Sequence, residues 1–125
     1  SSRMVFRYSN TLVLKVAYNE KGIGQNQAEY NLWRHTTAKE RTVLAPIIDF
    51  CNYNSWLLQR RCTKRLYEWG KEAEEFCNKH HKTFEMLEKY HGLNNGDTRR
   101  SLGKVGNKIV LYDYGYTEFV RKNYY

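Results

Sequence analysis

Apolar side chains near the N-terminus recur in short runs that are typical of β-strands. Residues 3–9 and 11–18 are rich in β-branched and aromatic side chains and flank a turn around Ser-Asn-Thr, which predicts two strands. The runs VLAPIIDFCNY and SWLLQRRCT predict two more strands, joined by a polar turn at residues 52–55. A last apolar run predicts a strand over residues 108–112 that leads into Asp-Tyr-Gly.

Two regions have the apolar spacing of helices. Residues 25–36 predict one helix, and residues 18–26 before it, with two glycines and two asparagines, are expected to break regular structure. Residues 65–91 predict a helical region in which Gly70 separates a short first helix from a longer one. Residues 92–103 predict an irregular loop. Strands, helix, strands, helices, loop and strand in this order indicate an α+β fold.

One charged residue interrupts the second predicted strand. Lys15 lies among the apolar residues of LVLKVAYN, and a buried ammonium is costly unless another group pairs it. Glu29, which follows 14 residues later on the predicted helix, is the candidate partner. The alternative is an edge-strand lysine whose stem packs while its amine reaches water.

The Asp-Tyr-Gly triplet places a carboxylate just beyond an apolar strand. Asp113 there escapes burial and is a candidate ligand for a metal ion, although an aspartate at this place is also typical of a turn. Gly115 is expected to let the backbone turn sharply away.

These motifs, in this order, resemble the protein-kinase-like fold of protein kinases and aminoglycoside phosphotransferases. VLKVA resembles its strand lysine motif, QNQAEYNLW its C-helix, and KIVLYDYG its metal-binding triplet, in the style of short kinase-like proteins of bacteriophages. The resemblance implies ATP and Mg²⁺ as cofactors, with Lys15 at the phosphates, Glu29 as its partner and Asp113 on the metal. The run LAPIIDFCNYNSWLLQRRC would then place adenine near residues 58–62.

The chain also departs from this family. Asp97 is the candidate catalytic base, but Leu102 stands five positions on, where the family has a metal-binding asparagine, and Ser101 is the nearest polar candidate. A glycine-rich phosphate loop is not recognisable, and ten residues follow Gly115. We therefore expect one truncated kinase-like domain over residues 1–125: an antiparallel N-lobe sheet with a C-helix to about residue 62, then helices and the Asp-Tyr-Gly strand.

The composition is strongly basic. Lysine and arginine number 21 against 13 aspartate and glutamate residues, which gives a formal net charge of +8. Such a charge favours polyanions or acidic protein surfaces as partners. We expect a partner-binding surface built from five basic residues: Arg60, Arg61, Lys64, Arg99 and Arg100.

Three functional hypotheses follow. The first is a degenerate kinase-like bacteriophage protein, a pseudokinase, that binds a host protein through an acidic surface and modulates it. The second is an ATP- and Mg²⁺-dependent phosphotransferase or a nucleotide-binding protein. The third is a basic nucleic-acid-binding protein, for which affinity should fall steeply with salt.

The remaining composition bears on location. Three cysteines form no C-x-x-C pair, which is typical of reduced thiols. The N-terminal residues resemble no signal peptide, and no apolar run approaches the ~20 residues that span a bilayer. We expect a cytoplasmic protein, in the host cell if it is viral, without a membrane partner.

Overall fold

A four-stranded antiparallel sheet forms the first part of the fold. The computed structural model describes residues 2–124, apart from the side chain of Asp97. The strands of this sheet are β1 (Arg3–Arg7), β2 (Leu12–Ala17), β3 (Ile47–Phe50) and β4 (Trp56–Arg60). They lie side by side in the order β1, β2, β4, β3. The four strands predicted in this part of the sequence are confirmed, and each is shorter than predicted.

The strand register decides which side chains share a face. Val5 lies opposite Lys15, and Arg3 lies opposite Ala17. Cross-strand partners point to the same side of a sheet and alternate residues share a face. Arg3, Val5 and Lys15 therefore lie on one face, which is the face that the first helix covers.

Helix α1 begins earlier than the sequence predicted. It spans Glu20–His35, so the expected break at residues 18–26 is wrong. Asn19 caps the helix, because its side chain accepts a hydrogen bond from the Gly22 amide at 3.0 Å. A Cβ at Gly22 would overlap a backbone carbonyl just before β1. This glycine allows close packing of helix on sheet rather than ending regular structure.

The second part of the chain combines helices with a small antiparallel sheet. A short helix, α2 (Ala38–Arg41), precedes β3. The elements of the second part are β5 (Lys64–Arg65), α3 (Lys71–Lys79), α4 (His81–His91), a 3₁₀ helix (Asn95–Ser101), β6 (Leu102–Val105), β7 (Lys108–Leu111) and α5 (Glu118–Tyr124). The small sheet has the order β5, β6, β7. With the first sheet it makes the chain α+β, as the sequence predicted.

Several boundaries in this part differ from the prediction. The region predicted as helical from residue 65 begins with a strand pairing, and Gly70 caps α3 instead of separating two helices. The two helices meet at His80. The predicted loop at 92–103 contains the 3₁₀ helix and the start of β6, because Leu102 is buried and pairs with Leu111.

One hydrophobic core joins the two parts. Tyr114 is fully buried in it and donates its hydroxyl to the Ala45 carbonyl at 2.8 Å. Helices α1, α3 and α4 contribute further buried residues, among them Leu32, Phe76, Phe84 and Leu87. Burial of Tyr114 fixes the backbone on both sides of it and so positions Asp113.

The opposite face of the large sheet is apolar. Strand alternation places on it a set of side chains that are partly or largely exposed: Met4, Phe6, Leu14, Val16, Trp56 and Leu58. Phe6 is 45% exposed and Met4 38%. We call these six residues the outer face. Among the described residues, no helix is both long enough and apolar enough to cross a membrane.

Gly115 is required by space rather than by backbone conformation. Its φ lies outside the left-handed region, so the expected sharp turn is not its reason. A Cβ built there would lie 2.8 Å from the Gln25 carbonyl oxygen and 2.9 Å from Glu29 Oε2. Helix α1 and the segment after β7 can approach this closely only at a glycine.

Gly115→Ala should therefore lower the free energy of unfolding by ~1–3 kcal/mol through overpacking. Urea denaturation of the variant measures this. Gly96→Ala is the matched control, because its nearest neighbour is the Asn94 side chain at 3.3 Å. Equal stability of the two variants would contradict the close approach.

Candidate functional site

The buried lysine of β2 is paired. The Lys15 side chain is 4% exposed, and its Nζ donates to Glu29 Oε1 at 2.9 Å. It also donates to the backbone carbonyl of Tyr112 at 2.7 Å. The predicted Lys15–Glu29 pair is thus present, and the edge-strand alternative is wrong because Lys15 lies between β1 and β4.

Glu29 is the centre of the charged cluster. Its side chain is fully buried, and its second oxygen, Oε2, accepts from Arg3 Nη2 at 2.8 Å. Burial alone would raise the pKa of Glu29. The charges and hydrogen bonds of Arg3 and Lys15 outweigh burial and lower that pKa to about 2. Glu29 is therefore a carboxylate at any pH where the protein works.

Arg3 joins the two carboxylates of the site. Its Nη2 donates to Glu29 and, at 2.8 Å, to Asp113 Oδ1, while Nη1 donates to Asn26 Oδ1 at 3.1 Å. Asn26 is itself fixed, because its Nδ2 donates to the Asn54 carbonyl at 2.9 Å. The sequence did not single out Arg3. The signal was the hairpin register, which places it on the same face as Lys15.

Asp113 is the exposed member of the cluster. Its side chain is 50% exposed, and Arg3 contacts one of its oxygens. Desolvation by the surrounding groups raises the pKa of Asp113, and the negative charge of Glu29 raises it further. The positive charges of Lys15 and Arg3 lower this pKa but do not outweigh the other two effects. With two cations and two carboxylates, the cluster of Arg3, Lys15, Glu29 and Asp113 is charge-balanced.

A cleft opens beside this cluster. Its volume is about 350 Å³, within the range of small-ligand sites. Val5 and Val13 form an apolar part of its lining, and Asp113 is its acidic residue. Five cationic residues also line it: Arg3, Lys15, Arg60, Arg61 and Arg65. We call this cavity the Lys15 cleft, and its lining attracts anions.

One residue that lines the cleft has backbone groups without backbone partners among the described residues. Cys62 lies in the connection between β4 and β5 and lines the cleft. Within residues 2–124, neither its amide nor its carbonyl makes a backbone hydrogen bond, whereas the neighbouring Arg61 amide donates to Thr11 and that of Thr63 to Lys104. This lies within the segment where the sequence predicted adenine.

A second cavity lies on the other side of Asp113. It has a volume of about 370 Å³, and Asp113 lines both cavities. Ser101, the candidate polar replacement for the missing asparagine, and Arg100 line it too. Asp97 lies in the adjoining 3₁₀ helix, but its side chain, the candidate base, is outside the part of the chain that the structure describes.

The five basic residues predicted as a partner surface are spread over several places. Arg60 and Arg61 line the Lys15 cleft, and Lys64 is exposed on β5. Arg99 Nη1 donates to the Glu68 carbonyl at 3.5 Å, and Arg100 Nε lies 3.6 Å from the Glu68 carboxylate. The Glu68 carboxylate thus partly neutralises Arg100.

The donor set departs from the Mg²⁺ site that the kinase resemblance implies. Asp113 Oδ1 accepts from Arg3 Nη2, and Ser101 offers a hydroxyl where the family has the amide oxygen of an asparagine. Among the described residues, no group of three or more His, Cys, Asp or Glu side chains could hold a metal ion.

No family model, curated protein or solved structure matches this chain.

The charged cluster predicts a specific acid sensitivity. The pKa of Glu29 falls from an ordinary 4.5 to about 2, so its contribution to stability is complete above pH 4.5 and is lost as the pH falls toward 2. Glu29→Gln should cost about 3 kcal/mol at pH 7 and flatten the decline of stability between pH 4.5 and 2. Urea denaturation at a series of pH values measures both effects.

Glu75→Gln serves as the control, since Glu75 is 66% exposed and lies 3.8 Å from Lys71. It should leave the pH dependence unchanged. Indistinguishable pH profiles for wild type and Glu29→Gln would contradict the role of the buried carboxylate.

Proposed function

We propose that this chain is a kinase-like domain that binds a nucleoside phosphate in the Lys15 cleft without transferring its phosphoryl group. The observation that supports this is the composition of the cleft. One small cavity joins two valines, five basic residues and Cys62, whose amide and carbonyl make no backbone hydrogen bond within the described residues. A nucleotide needs this combination, since it has an apolar planar base with polar edges and a charged phosphate tail.

The phosphate end of the ligand lies at Lys15. An ammonium has three donors, and within the described residues Lys15 uses one on Glu29 and one on the Tyr112 carbonyl. The third is available to a phosphate oxygen. Glu29 fixes the direction of the ammonium, which is the arrangement that kinases use to hold phosphates. Arg61 and Arg65 add positive charge along the same cleft.

The base end lies toward the connection after β4. Val5 and Val13 supply apolar contact for a planar ring, and they lie diagonally across the β1–β2 pair on the face that carries Lys15. The Cys62 amide can donate to a ring nitrogen, and its carbonyl can accept from an exocyclic amine. Pairing of this kind selects a base by its hydrogen-bonding edge.

Phosphoryl transfer needs more than this pair. It depends on a metal-holding aspartate as well as on the lysine. Arg3 bonds to Asp113, and Ser101 replaces the second ligand, so the proposed activity is binding.

Lys15→Met should weaken ATP binding at least tenfold, because it removes the ammonium that faces the phosphates. Isothermal titration calorimetry measures the affinity. Lys108→Met, on the exposed residue of β7, is the charge-matched control and should bind as wild type does. ATP affinity that both variants retain would overturn the proposed site.

Lys15 also pairs the buried Glu29, so its replacement can reduce folding. Arg65→Met tests the same cleft from its rim, where Arg65 is exposed and its guanidinium lies 5.4 Å from the centre of the Tyr112 ring. It should weaken ATP several-fold and leave the far-UV circular dichroism spectrum unchanged. A single-stranded DNA oligomer that binds more tightly than ATP, with steep salt dependence, would favour the nucleic-acid hypothesis instead.

Binding of a protein partner is the second candidate function, and the outer face is the observation that favours it. Large exposed apolar patches mark protein contacts. This face suggests apolar contact with a partner. An acidic surface of a host protein would instead need the five predicted basic residues, which lie in several separate places. Cross-linking should capture a partner of the wild-type protein, and the Phe6→Asp variant should no longer capture it. Capture that depends instead on Arg60 and Arg61 would favour the acidic partner.

A further inference from the structure

We propose that Arg3 is a built-in cation that takes the place of a divalent metal, so that the cleft binds nucleoside triphosphate without Mg²⁺. This inference rests on the proposed nucleotide binding and names the form of the ligand. It follows from one contact: a single nitrogen of Arg3, Nη2, lies 2.8 Å from both Glu29 Oε2 and Asp113 Oδ1.

The position of Arg3 is built into the fold. Its side chain is 7% exposed, in a network of acceptors on α1 and on the segment after β7. Asn26, which is fully buried, orients the guanidinium and is itself oriented by the Asn54 carbonyl. An arginine held on several sides is pre-organised and stays charged at every accessible pH.

Charge explains why Arg3 excludes a metal. Glu29 and Asp113 are neutralised by Arg3 and Lys15, so a divalent ion at Asp113 would add two positive charges next to a guanidinium. The same neutralisation removes the repulsion that two carboxylates would exert on phosphates. Arg3 and Lys15 therefore already supply the positive charge that a metal ion would place between the carboxylates and the phosphates.

The test compares ATP affinity in EDTA with that in Mg²⁺, by calorimetry on the full chain. Wild type should bind equally in both buffers, within about twofold. Arg3→Gln exposes the two carboxylates, so ATP affinity in EDTA should fall about tenfold and Mg²⁺ should restore part of it. Arg7→Gln is the matched control, because Arg7 lies on the same strand and face and is exposed.

A second arm uses Mn²⁺ alone, followed by water proton relaxation. Arg3→Gln should bind Mn²⁺, and wild type and Arg7→Gln should not. Mn²⁺ bound equally by wild type and Arg3→Gln, or by neither, overturns the inference. If Arg3→Gln does not fold, the wild-type comparison between EDTA and Mg²⁺ decides alone.

The outcomes separate this inference from the function on which it rests. ATP binding by wild type that requires Mg²⁺ would leave the proposed function intact and refute the role of Arg3. No ATP binding in either buffer would refute the proposed function, and the Mn²⁺ arm would still decide whether Arg3 excludes a metal.

Discussion

The arrangement of this protein depends on the burial of one ammonium group in the middle of a sheet. Lys15 cannot sit between β1 and β4 unless an anion meets it, and Glu29 on α1 is that anion. The same ammonium holds the Tyr112 carbonyl, which fixes the segment that carries Asp113. Helix α1 and the segment after β7 are thus brought to the sheet by a single charge. Gly115 is where their contact is closest.

The cluster and the cleft beside it have opposite electrostatic character. Arg3, Lys15, Glu29 and Asp113 balance one another and make the site rigid, as satisfied buried networks do. The cleft adds Arg60, Arg61 and Arg65 without further carboxylates. The cluster is charge-balanced, and the cleft above it is cationic. This arrangement suits the binding of an anionic ligand better than catalytic turnover, which would need groups free to exchange protons or metal ions.

The features that depend on the spacing of residues along the chain could be predicted from the sequence. Lys15 stood out because it interrupts an apolar strand, and the 14-residue spacing to Glu29 was enough to pair them. Arg3 was missed because its partners Glu29 and Asp113 are 26 and 110 residues away, and only the hairpin register places it on the same face as Lys15. The start of α1 was missed because its glycines serve close packing, and a sequence alone does not reveal which backbone approaches them.

We propose the Lys15 cleft as the nucleotide site. Two-dimensional ¹H–¹⁵N NMR during an ATP titration in EDTA tests it most directly, because it locates the ligand on the chain. Shifts concentrated at the amides of Val13, Lys15 and Cys62 are the predicted result. Shifts confined to the exposed basic residues of α5, with none at these three, would contradict the account.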